Sequence, residues 1–233
     1  MLKDNHNLIS NVPNPSIKKG SITKKLIEFI EETLLKFQMQ FKGNVDTSEE
    51  VLNEYLGKTF SYYSKEYPFI FQQETIQKQK KGQNRKVDIG VFHHYADTNP
   101  FFTLEAKRLT TTLSNSREKE YVIGDNPLKL SGGIERFKHN VHGVNLLKSA
   151  VIGYVQRENF NHWFDSVNNW INQLISLKLK STLKWNSNDL LINHCKFKDS
   201  RVSKFSSKNI KTDRTIITLN HYFIDLKKQK TKA

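Results

Sequence analysis

Leu26, Ile30, Leu34, Phe37 and Phe41 recur at spacings of three and four, which predicts an amphipathic helix with one apolar stripe and Ser21 as its cap. Gly43-Asn44-Val45-Asp46 breaks that period. A second helix is expected from "TSEE", where Thr47 and Glu50 stand as a capping box and Val51, Tyr55, Leu56, Phe60 and Tyr63 continue the pattern until Pro68. The period then changes. "FIFQQETIQ" (69–77), "VDIGVF" (87–92) and "FFTLEAKRL" (101–109) read as three antiparallel strands, joined by the basic turn "KQKKGQNRK" (78–86) and the loop "HHYADTNP" (93–100). "SAVIGYVQ" (149–156) is a fourth, fully apolar strand. Before it, Gly132 and Gly133 open a short helix. After it, Phe160, Trp163, Phe164, Val167, Trp170, Ile171, Leu174 and Ile175 form another helical stripe, which assigns the tryptophans to the core, and "TIITLNHYFIDL" (215–226) reads as a terminal strand in which His221 is a structural residue or a rim contact. The expected class is α/β in an α+β arrangement: a mixed central sheet flanked by helices, with a helical and stranded C-terminal extension over 157–226.

Charged residues interrupt two of these strands. Asp88 lies inside an apolar run, and Glu105 and Lys107 lie inside the next, although all three are poor strand formers and costly to bury unpaired. If Phe92 and Phe101 close the hairpin opposite each other, Asp88 falls across from Glu105, and Lys107, two residues on, shares their face. Val87, Ile89, Val91, Leu104 and Ala106 then form the apolar underside. Two carboxylates so placed repel unless a cation lies between them, and such hard oxygen donors suit Mg²⁺ or Mn²⁺. A lysine beside the ion can orient or deprotonate water and stabilise charge on a scissile phosphate. A plain cross-strand Glu–Lys pair with an exposed Asp is the competing structural reading.

Composition bears on the partner. The 233-residue chain is 36% apolar, enough for one domain over 21–226 between a loose leader (1–20) and a basic, disordered tail (227–233). Its net charge of +14 favours a polyanion, and Lys80, Lys81, Arg85 and Lys86 in the basic turn, Arg108 beside the Glu–Lys strand, and Arg136 and Lys138 after the glycine pair are candidate contacts to a nucleic-acid backbone. Flexible glycines at a helix start suggest a phosphate cradle there. His139 and His142, spaced i and i+3, form half of a transition-metal site with no third ligand. Cys195 is the only cysteine, so neither an intrachain disulfide nor a cysteine-built zinc site is available; with no signal-peptide pattern and no membrane-length apolar run, a cytoplasmic location without a membrane is expected.

Asp88, sixteen residues, then Glu105-Ala106-Lys107, on two successive strands after a helix, resembles the PD-(D/E)xK nuclease superfamily, with its restriction-endonuclease-like fold. The likeness covers about residues 45–156, and Val87 stands where the family's proline usually lies. It implies that Asp88 and Glu105 are metal ligands and Lys107 the catalytic lysine. It also implies a helix glutamate at the metal, for which Glu50 is the candidate and Glu49 and Glu54 are competitors, and an extra polar residue, Glu135 or Arg136, from the helix after the motif. The implied activity is Mg²⁺- or Mn²⁺-dependent hydrolysis of DNA, with RNA as the alternative substrate, in bacterial defence against foreign DNA. Cutting both strands with one site per chain would favour a homodimer. The alternative function is a nucleic-acid-binding module that has kept the fold and lost cleavage.

Overall fold

The computed structural model describes residues 21–77, 84–94, 98–111, 115–125, 130–177, 183–196 and 201–227. The expected leader, Lys80 and Lys81 of the basic turn, and the tail from 228 onward lie outside the described residues.

Helix α1 (Ser21–Gln40) buries Leu26, Phe29, Ile30, Leu34 and Phe37, the stripe its spacing predicts. Helix α2 (Glu49–Tyr63) begins differently from the expected capping box. Ser48 is the N-cap, its hydroxyl accepting the Val51 N–H at 3.5 Å, while the Thr47 hydroxyl donates to the Asn44 carbonyl at 2.6 Å. The buried stripe of α2 is Leu52, Leu56, Gly57 and Phe60, and Val51 and Tyr55 are exposed. Glu49 lies three residues before Leu52 and so shares the inward face. Glu50 is turned about 100° away and is exposed.

Seven strands form one mixed sheet: β1 (Phe69–Gln77), β2 (Arg85–His93), β3 (Phe102–Leu109), β4 (Lys148–Val155), β5 (Ile192–Lys196), β6 (Val202–Ile210) and β7 (Ile216–Asp225), in the spatial order β1-β2-β3-β4-β7-β6-β5. β1, β2 and β3 are an antiparallel meander; β4 runs parallel to both β3 and β7. The chain between β3 and β4 carries a helical turn, α3 (Asn115–Glu118), a 3₁₀ turn at Lys119–Tyr121 and the short helix α4 (Gly133–Lys138). α5 (Phe160–Ser176) follows β4.

Two apolar cores sandwich the sheet. α1 and α2 pack with Ile89, Val91, Leu104, Ala106 and Ile152 on one face, while α4 and α5 pack with Leu109, Val151, Leu219 and Phe223 on the other. The C-terminal extension is therefore not a separate unit, since β7 pairs with β4 along its length. β5 and β6 escape prediction from hydropathy. In β6 the inward residues include Ser203, Ser207 and Asn209, so burial alternates while polarity does not. No helix among the described residues is long and apolar enough to cross a membrane.

Two of those inward polar groups, Ser207 and Asn209, form a network with His221, which is fully buried in β7. Its Nδ1 lies 2.8 Å from the Tyr121 hydroxyl and its Nε2 lies 2.8 Å from Ser207 Oγ, which also accepts from Asn209 at 2.7 Å. His221 is thus structural. Burial pushes its pKa down to about 3. An unfolded chain takes up this proton once the pH falls below the ordinary histidine value, whereas the folded chain refuses it until about 3. Stability must therefore fall with pH through that window, by about 1.4 kcal/mol per pH unit from this one group. Melting temperatures of the wild type between pH 7 and pH 4 should drop more steeply than those of His221→Asn; parallel curves would contradict the assignment.

Candidate active site

The site forms where the β2–β3 ladder stops. Val91 pairs with Phe102, Gly90 with Thr103 and Ile89 with Leu104, the register expected from the closing phenylalanines, and in it Asp88 comes next, across from Glu105. Beyond Ile89 the backbone bond is replaced by a side chain: the Ala106 N–H donates to Asp88 Oδ2 at 2.7 Å. β3 is buried along nearly its whole length, because β4 continues to pair with it from Leu104 to Leu109. Glu105 therefore sits fully buried near the middle of the sheet.

An unpaired carboxylate there would be prohibitively costly, and three groups answer it. Arg136 Nη1 of α4 lies 2.5 Å from Glu105 Oε1, and Lys107 Nζ lies 3.1 Å from the same oxygen. His142 Nδ1, from the loop after α4, faces Oε2 at 3.0 Å but is not aligned as a hydrogen bond. Burial alone would raise the Glu105 pKa, yet Lys107, His142 and Arg136 hold it well below the usual carboxylate range. Arg136, not Glu135, is thus the α4 residue that enters the cluster. Glu135 instead accepts the N–H groups of Gly124 and Gly132, each at 3.1 Å, and ties the loop before α4 to its first turn.

The lysine completes the motif from the helix side. Lys107 Nζ donates to Glu49 Oε1 at 2.8 Å, and the Arg108 N–H donates to Glu49 Oε2 at 3.3 Å. Glu49, not the expected Glu50, is therefore the α2 glutamate that contacts Lys107: the buried phase of α2 runs through Glu49 and Leu52, and Glu50 is exposed, lining only the adjoining cavity. Burial works against the Lys107 charge, but Glu105, Glu49 and Asp88 outweigh it and hold the ammonium above its ordinary range. Asp88 is the discordant member. Burial, then the charge of Glu105, pushes it up to about 8 against the pull of Lys107.

Three carboxyl groups, Asp88, Glu105 and Glu49, thus face two fixed cations, Lys107 and Arg136. The surplus acid, Asp88, lies next to Glu105 on one face, which fits a hard divalent ion that takes two carboxylates and completes its shell with water and phosphate oxygens. Among the described residues no group of three or more His, Cys, Asp or Glu side chains is placed to hold a metal ion. Beside Lys107 a cavity of about 270 Å³ is lined by Ser48, Glu49, Glu50, Arg108, Arg117 and Glu120. Arg117 and Glu120 come from the segment around α3, which carries no hydrophobic periodicity to announce it.

Comparison with protein-family models, curated proteins and solved structures returned no match.

The remaining expected contacts divide. Arg108 is half-buried at the cavity, and Arg85 and Lys86 are exposed at the start of β2, where Lys86 pairs with Glu74 at 2.7 Å. Lys138 is not a surface contact. Its Nζ is fully buried, 2.7 Å from Asp189 Oδ1 and 4.9 Å from the centroid of the Trp185 ring, because the last turn of α4 points it into the molecule. The glycine pair offers no open cradle either. Both glycines are buried, the Gly132 N–H is taken by Glu135, and a Cβ on Gly133 would lie 3.0 Å from the Tyr121 carbonyl oxygen and 3.5 Å from Lys107 Cγ. His142 reaches the site through Glu105, whereas His139 is the C-cap of α4.

Breaking a buried pair costs about 3–5 kcal/mol because the surviving charge is stranded. Lys138→Met should lose about that much in urea denaturation while nucleic-acid affinity, measured on the folded fraction, stays unchanged. Glu105→Gln should show a comparable loss in EDTA, since Arg136 and Lys107 then share no buried anion.

Proposed function

We propose that this chain is a divalent-metal-dependent nuclease that hydrolyses DNA phosphodiester bonds in the manner of the PD-(D/E)xK superfamily. The observation that carries the reading is the convergence of Asp88, Glu105 and Lys107 on one face, with Glu49 of the preceding helix closing on Lys107. The order α2-β1-β2-β3-α4-β4, an antiparallel meander followed by a parallel strand, agrees with a restriction-endonuclease-like core.

In this reading Asp88 and Glu105 hold the ion. When bound, the ion supplies Lewis-acid charge for the phosphate and lowers the pKa of attacking water. The protein supplies position and counter-charge. Lys107, kept as an ammonium by its three carboxylates, donates hydrogen bonds to the water or to a phosphoryl oxygen rather than starting as a general base. Glu49 holds that ammonium in place. Arg136, partly exposed above Glu105, and Arg108, beside the cavity, meet the backbone of the nucleic acid.

Supercoiled plasmid and linear single-stranded DNA, incubated with Mg²⁺ or Mn²⁺, test the assignment directly, with an RNA strand as the third substrate. Wild-type cutting should require the metal, and Lys107→Ala and Asp88→Ala should each reduce it by about 100-fold or more at matched circular dichroism. Glu49→Gln should lower the rate while Glu50→Gln leaves it unchanged. Cutting that persists in Lys107→Ala would sink the proposal. Salt-sensitive DNA binding by a wild type that cuts no substrate would favour a binding module instead.

A further inference from the structure

One oxygen of the carboxylate that would receive the metal, Glu105 Oε1, is already occupied. Arg136 and Lys107 both lie on Glu105 Oε1, and His142 faces Oε2, so an ion at the 2.0–2.1 Å typical of Mg²⁺–oxygen bonds would meet two cations at the same oxygen. Oε2 has no aligned hydrogen bond, so the conflict is confined to Oε1, where an ion can bind only if one of the two cations yields. Lys107 is 7% exposed and anchored a second time by Glu49; His142 is 1% exposed. Arg136 is 26% exposed, and its other hydrogen bond is from Nε to the Leu130 carbonyl at 2.9 Å. Leu130 adopts a left-handed backbone with φ of 46°, in the loop ahead of α4. Of the three groups, Arg136 is the one whose side chain is substantially open to solvent while it holds Glu105.

We propose that Arg136 is a gate on the metal site: it occupies Glu105 in the metal-free chain and transfers to a phosphate of the incoming nucleic acid, freeing Oε1 for the ion. This rests on the nuclease reading. The exchange is chemically even, because a guanidinium donates its planar fork to a phosphate as well as to a carboxylate. Lysine would lack that equivalence. The consequence is coupling. Metal binds weakly to the chain alone and more tightly once nucleic acid has drawn Arg136 away, and by linkage metal tightens nucleic-acid binding by the same factor. The basic surface then finds the substrate first, and the ion follows.

Mn²⁺ titration by calorimetry, without any turnover readout, tests the gate. Arg136→Gln should bind Mn²⁺ in the absence of DNA about tenfold more tightly than the wild type, since it removes a like charge from the ion's neighbourhood. The wild type gives the same reading without a substitution: saturation with a short duplex, shown intact on a gel, should raise its Mn²⁺ affinity about tenfold, after subtraction of Mn²⁺ binding to the duplex alone. Asp88→Asn should abolish both effects. Equal Mn²⁺ affinity in wild type and folded Arg136→Gln, or a wild-type affinity that DNA does not change, would overturn the gate while leaving metal-dependent cleavage intact. Absence of Mn²⁺ binding in every protein, with and without DNA, would overturn the nuclease reading together with the gate.

Discussion

A carboxylate at the centre of a sheet sets the terms for everything around it. Glu105 occupies a strand paired on both sides, with no solvent to neutralise it, so the fold must bring cations to it from other elements. Lys107 comes from the same strand, two residues on. Arg136 and His142 must come from the crossover between β3 and β4, and the local structure of that segment follows from the requirement. The Arg136 carbonyl accepts the N–H groups of Val141 and His142, so one residue both presents its own guanidinium and positions the histidine. Gly133 lets the start of α4 press against the Tyr121 carbonyl and the Lys107 stem, a distance at which any Cβ would crowd the backbone. Glu135 clamps the preceding loop. These features look unrelated in the chain and share one cause.

Much of this was readable from spacing. The cross-strand register of Asp88 and Glu105 follows from period two and one hairpin closure, and both are local. The assignment of Lys107 to the same face is equally local. What could not be read locally was the phase of α2. Tyr55 and Val51 suggested one face, but they are exposed, and the face actually buried runs through Leu52, Leu56 and Phe60 with Glu49 at its head. That phase was available in the chain, three residues from Glu49 to Leu52, yet aromatic residues on the outer face competed with it. Lys138 failed for another reason. Its partner Asp189 is 51 residues away, and nothing in a run of cations distinguishes the one that will be buried against a distant carboxylate and an indole ring. β6 failed because its inward positions are polar: Ser207 bonds His221 and Asn209 bonds Ser207, and this polar run makes a buried strand read as a loop.

The charge pattern of the site separates its two carboxylates, although they are neighbours of the same chemical type. Glu105 has Lys107 and Arg136 on one oxygen and His142 facing the other and is held anionic, whereas Asp88 has a backbone N–H and a view of Glu105, and is pushed up to about 8. Such a pair does not lack ligands; it lacks positive charge at one point, between Asp88 and Glu105. A third protein cation there would have satisfied the balance permanently and made the cluster an inert structural network, like Lys138 with Asp189. Its omission leaves Asp88 to a proton or, on the proposed reading, to a metal ion, and Arg136 is the most exposed of the described residues that face Glu105. The difference between a buried ion pair and the site the nuclease proposal requires therefore lies in one missing charge beside Asp88, which that proposal assigns to a divalent ion.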